Sequence, residues 1–244
     1  MRDLLTRAEI SEPPVDLERA AQVQGIEQIR TGKLRSSLGI LSHRKSGLTV
    51  TLNERYPRRA RFTLAHEIAH TLVEQGIAQH AQVVLARRAP RSASARERLC
   101  DEVAAELLLP YDMFREALGG RTVALDEIKR LAGQFDASLE STALRAGELA
   151  EERVEVCSWV SGRNGLKVKA STGEPFLSAR EATRLRSYDS ASPVAKAYRS
   201  KGREQGREQP FASAPWAVYD CEAQGFMRGN ARFVLTVARP AALA

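Results

Sequence analysis

The chain has 244 residues, 43% of them hydrophobic, which suits one large folded domain or two small ones and is too apolar for wholesale disorder. No apolar run reaches the ~18 residues of a membrane span. Met1 to Pro14 carries Asp3, Glu9 and Glu12 and lacks the apolar centre of a secretory signal. Three widely spaced cysteines, Cys100, Cys157 and Cys221, argue against a disulfide framework and a cysteine-ligated zinc site, and fit a reducing cytoplasm. The net charge of +7, divided as +2 over residues 1–150 and +5 over 151–244, favours contact with nucleic acid or an acidic protein surface; 30 arginines against 7 lysines equally describe a compositional bias.

In chain order, a helix is predicted from Val15 to Gln24, followed by strand-like pieces at Gly25–Arg30, Leu34–Ser42 and Gly47–Asn53. The alternation of Leu48-Thr49-Val50-Thr51-Leu52 is that of a half-buried strand. Two helices are expected to flank residues 75–95, a stretch rich in Ala, Arg, Gln and Ser that reads as a mobile loop carrying His80. Leu125, Ile128, Leu131, Ala132 and Phe135 have helical spacing, Asp136-Ala137-Ser138 supplies a turn and a cap, and Leu139 to Ala150 continues as helix. From Arg153 onward strands are expected around Val154, Val156, Trp159, Leu166, Val168 and Phe233–Val237, with Ser200 to Arg207 as a polar loop. The fold class is therefore α+β, divided at 1–121, 122–150 and a β-rich 151–244.

Chemistry concentrates in Arg61-Phe62-Thr63-Leu64-Ala65-His66-Glu67-Ile68-Ala69-His70, an HExxH helix. Four residues of helix advance about 6 Å and turn about 400°, so His66 and His70 lie one above the other and can share one metal ion. Glu67 sits about 100° further round, placed to act as general base on a water at that ion. Phe62, Ala65, Ile68, Ala69, Leu72 and Val73 form the packing arc of the same helix. A catalytic zinc site needs a third protein donor. Val73 and Gly76 stand where a metzincin requires Gly and His, which leaves a carboxylate from a later helix: Glu97, Glu102 or Glu106. At 100° per residue Glu97 falls within the apolar arc of Cys100, Val103, Ala104, Leu107 and Leu108, where a carboxylate needs a partner, whereas Glu102 and Glu106 lie opposite beside Arg98. Asp101, at the edge of that arc, can accept a hydrogen bond from a ligand histidine. Two histidines and a glutamate suit Zn2+ and also Mn2+ or another divalent ion.

These two segments resemble the ImmA/IrrE family of bacterial metallopeptidases. Arg61 to His70 looks like the family's RFTxAHExxH signature. Glu97-Arg98-Leu99-Cys100-Asp101, followed by Ala104-Ala105-Glu106-Leu107-Leu108-Leu109-Pro110, looks like its second signature, with Asp101, Val103 and Leu109 where Asn, Phe and Met are commoner. The resemblance covers about residues 15–150 and implies a zincin-like metallopeptidase domain whose third ligand is Glu97. Residues 122–150 resemble the family's helix–turn–helix-like portion. The order of parts is closest to the IrrE branch, in which the last module resembles a GAF sensor; residues 151–244 take that assignment by position alone. The implied activity is cleavage of an Xre-type helix–turn–helix repressor, releasing DNA-damage or mobile-element genes. The alternative is a DNA-binding or ligand-sensing regulator with a vestigial or structural metal site. The basic run Arg55 to Arg61 is either a solvated loop or a dock for an acidic patch.

Overall fold

The computed structural model describes residues 1–45, 47–80, 93–162, 165–172, 192–208, 218–228 and 231–241 and divides into two units, Met1–Met113 and Phe114–Ala244. In the first, α1 (Arg2–Arg7) buries Leu4 and Leu5, and α2 (Leu17–Val23) starts where the Asp16 carboxylate accepts the amides of Glu18 and Arg19, each at 3.0 Å. Strands β1 (Ile26–Gly32), β2 (Gly39–Arg44) and β3 (Gly47–Asn53) follow, in the order β1-β3-β2, with β1 parallel and β2 antiparallel to β3. The Thr–apolar alternation predicted a half-open strand. As the central strand, β3 is instead buried from Thr49 onward. The second predicted strand starts late, at Gly39, because the Asn53 side chain holds the carbonyls of Leu34 and Ser37 (3.0 and 2.8 Å) and keeps residues 33–38 as a loop.

A 3-10 turn at Pro57–Arg59 leads into α3 (Ala60–His80), which buries Leu64, Ala65, Ile68, Ala69 and Val73 and packs against α4 (Ala93–Leu108). Both helices are longer than expected. The stretch 75–95 read as a loop is helical at 75–80, His80 included, and again at 93–95; the remainder, 81–92, lies outside the described residues. In residues 75–80 the two Gln and one Ala favour helix once it is anchored by the packed turns before it. The helix α5 (Tyr111–Leu118), which straddles the division into units, begins where Glu106 Oε1 accepts the Tyr111 amide at 3.0 Å.

In the second unit α6 (Leu125–Phe135) and α7 (Leu139–Glu148) are joined at Asp136, which adopts the left-handed conformation, and Ser138 caps α7 through the Ser141 amide. Phe114 and Phe135 meet with ring centroids 5.1 Å apart. Strands β4 (Glu155–Gly162) and β5 (Gly165–Ser171), helix α8 (Pro193–Ser200), and strands β6 (Arg203–Glu208), β7 (Tyr219–Arg228) and β8 (Ala231–Pro240) complete it. The sheet is antiparallel throughout, in the order β5-β4-β8-β7-β6. The polar loop expected at 200–207 is thus mostly a strand. The run Arg203 to Arg207 escapes a hydrophobic pattern because β6 is an edge, where charged side chains face water while the backbone pairs with β7.

The helix pair is tied to this sheet. Glu140 of α7 receives Ser158 Oγ at 2.8 Å and Lys169 Nζ at 2.7 Å, and a Cβ added to Gly147 would meet Thr172 and Val156. No residue of α7 before Glu148 is exposed. On the opposite face of the sheet, Cys157, Trp159, Cys221 and Ala223 form a core with Val194 and Ala197 of α8.

Candidate metal centre

The HExxH turn of α3 places His66 and His70 with ring centroids 4.8 Å apart and nearly perpendicular planes. From α4, the Glu97 carboxylate straddles both rings: Oε2 is 3.3 Å from His66 Nε2 and Oε1 is 3.8 Å from His70 Nε2. One donor atom from each of the three lies within 4.8 Å of the others. A tetrahedral zinc with bonds near 2.0–2.1 Å needs donors about 3.4 Å apart, so the group fits an ion after a small contraction. The helical argument put Glu97 on a buried face; its side chain is instead 55% exposed and reaches the two imidazoles from the early part of α4. Glu106 projects elsewhere, to cap α5, and Glu102 is exposed.

The outer ring nitrogens are also engaged. His66 Nδ1 lies 2.9 Å from Asp101 Oδ1, and His70 Nδ1 lies 3.4 Å from Cys100 Sγ. The Asp101 carboxylate accepts from His66 Nδ1–H, which turns the His66 Nε2 lone pair to Glu97 in the neutral tautomer a metal requires, while the thiol contact orients the His70 ring. Burial, reinforced by His66, lowers the His70 pKa and favours this neutral form. Burial, reinforced by Glu97, pushes the Cys100 thiol up to about 11, so it stays protonated.

Glu67 is only 7% exposed. Burial raises its pKa, opposed by His66 and by a hydrogen bond from the Leu41 backbone N–H of the edge strand β2. Gly39 makes this approach feasible: a Cβ there would fall 2.4 Å from Thr63 Cγ2 and 2.9 Å from Glu67 Oε1. One turn before His66, Phe62 was assigned to the packing arc. It is exposed, on the same face as the histidines, 6.4 Å from the His66 ring. His43 lies exposed on β2.

The model of Peptidase M78, the IrrE N-terminal-like domain, matches residues 28–146, a span that contains every donor just described. Residues 28–146 are similar to the IrrE N-terminal-like family. No curated protein matches the chain significantly. Among solved structures, a Mycobacterium tuberculosis transcriptional regulator has the same fold, with a TM-score of 0.61 at 15% identity over 98% of this chain and 76% of that one. Within the IrrE-like domain, the contributions of Cys100, Leu41 and Gly39 had escaped sequence reasoning. Cys100 sits at i+3 from Glu97, a spacing that signals a shared helix face. The Leu41 amide carries no signal in sequence.

Proposed function

We propose that the protein is a metal-dependent site-specific endopeptidase that cleaves an Xre-type helix–turn–helix repressor and so relieves repression of stress or mobile-element genes. The observation that carries this reading is the convergence of His66, His70 and Glu97 beside a buried Glu67. His66, His70 and Glu97 would hold the ion, with zinc preferred and manganese also suited to the donor set. When bound, the ion supplies Lewis acidity, acidifying water and polarising the scissile carbonyl. Asp101 and Cys100 fix the two imidazole rings. Glu67, made more basic by burial and aimed by the Leu41 N–H, takes the proton of the attacking water and returns it to the leaving amine.

Among the described residues three donors converge, as in catalytic sites; a closed structural site has four, and needs no base. A groove-reading role for α7 is less favoured, since Thr142, Ala143 and Ala146 are buried and its other residues before Glu148 are only partly exposed. We retain a sensor role for the β-rich 151–244 module, on its position in the chain. The deciding experiment is incubation of the metal-loaded protein with Xre-type repressors of its host. Wild type is expected to cut one of them, and Glu67→Gln to cut it at least ~100-fold more slowly while keeping its fold and metal. Equal cleavage by Glu67→Gln would refute the mechanism.

A further inference from the structure

Five cations gather at one end of the three-stranded sheet, although the sequence separates them. Lys33 and Arg35 follow β1, whereas Arg55, Arg58 and Arg59 lie between β3 and α3. Buried Asn53 stitches the two segments together: its Nδ2 donates to the carbonyls of Leu34 and Ser37, its Oδ1 accepts the Arg55 amide at 3.1 Å, and the Glu54 amide donates to the Gly32 carbonyl at 3.1 Å. All five basic side chains are exposed, and among the described residues none lies within ion-pair distance of a carboxylate. Glu54 is the one acid in these two segments. Like charges held together without counter-charges repel, and an acidic partner would relieve that repulsion.

The cluster is continuous along the chain with the elements that carry the metal centre. Its first loop runs directly into Gly39, against Thr63 and Glu67, and its second runs directly into α3. From Arg59 to His66 is seven residues, about 10 Å along a helix, or about three residues of an extended peptide. Exposed Phe62 stands between the two, and Ile40 is exposed on the edge strand alongside. We infer that the protein substrate carries an acidic segment about three residues to one side of the bond that is cut, held by Lys33, Arg35, Arg55, Arg58 and Arg59. This rests on the peptidase reading. The edge strand β2 offers main-chain pairing to an extended chain, a mode a duplex cannot use, which is why a peptide is favoured over DNA.

The test uses the full chain and three fluorescein-labelled probes, octaglutamate, octalysine and a 20-base-pair DNA duplex, with binding read by anisotropy at low salt. Octaglutamate is expected to bind. Arg58→Glu/Arg59→Glu and Lys33→Glu/Arg35→Glu are each expected to weaken it at least 10-fold, and Lys196→Glu/Arg199→Glu, an equal charge change on α8, less than 2-fold. A peptide library digested by the metal-loaded protein is expected to show Asp or Glu enriched about three residues from the cut, with the enrichment lost in both cluster variants. Equal weakening by the α8 variant, tighter binding of the duplex through the same cluster, or cuts without acidic enrichment would overturn the inference. If octaglutamate binds through the cluster while every peptide and repressor stays intact, the peptidase reading fails and the acid-binding surface stands.

Discussion

At the scale of single residues, the centre depends on side chains that never touch the ion's position directly. Asp101→Ala is expected to lower metal affinity about 10- to 100-fold, with Asp101→Asn recovering part of it, because the carboxylate sets the His66 ring through a 2.9 Å contact. Glu97→Ala should weaken metal binding as well, whereas Glu106→Ala should leave it intact and loosen only the start of α5; isothermal titration with zinc separates the three. Gly39→Ala should retain metal but lose activity, since the new methyl group would displace Thr63 or Glu67. Adding Thr63→Ser removes the closest contact and should restore part of the rate, which a cleavage assay of the double variant reads. The pairing of His66 and His70 was legible because helical periodicity is a property of sequence; Glu97 was picked out by the same periodicity, but for a burial it does not have. Gly39 and Leu41 were not, because their roles come from β2 and α3 meeting in space, which no local pattern encodes.

At the scale of elements, polar interactions decide where helices start and where strands end. The Ser138 hydroxyl satisfies the Ser141 amide, so Ser138→Ala is expected to cost about 1 kcal/mol in urea denaturation. Asp136 holds a left-handed conformation, so Asp136→Val should destabilise the α6–α7 turn by about 1–2 kcal/mol. The helices of the second unit were readable from the spacing of Leu125, Ile128, Leu131 and Phe135, all of which are buried. The edge strand β6 was hidden because its order comes from pairing with β7, so its sequence need not alternate. For the same reason residues 34–38 passed for strand: the Asn53 side chain, far along the chain, determines their path.

At the scale of the molecule, pH acts on the second unit through opposed carboxyls. Arg130 holds the Glu127 carboxyl, and Arg239 that of Glu152, below the ordinary 4.5. Their stabilisation is complete above that value and is lost as pH falls through the lowered pKa values. Burial raises Glu155, which instead favours the fold at low pH and withdraws that contribution as pH rises past 4.5. Arg203 lowers Asp126 in the same way, so with three lowered carboxyls against one raised, the urea midpoint of the second unit is expected to fall on acidification below about pH 4.5, and Glu152→Gln to flatten that fall. The burial of every cysteine has a practical consequence. Thiol reagents attack the thiolate, and burial pushes Cys100 up to about 11, Cys221 up to about 12 and Cys157 well above the usual range. The native molecule is therefore expected to react with maleimides only slowly near neutral pH, so that each modified thiol marks an opening event. Cys100 reports on the first unit, Cys157 and Cys221 on the second, so mass spectrometry of a timed labelling reaction gives the chain two internal clocks, one for each unit.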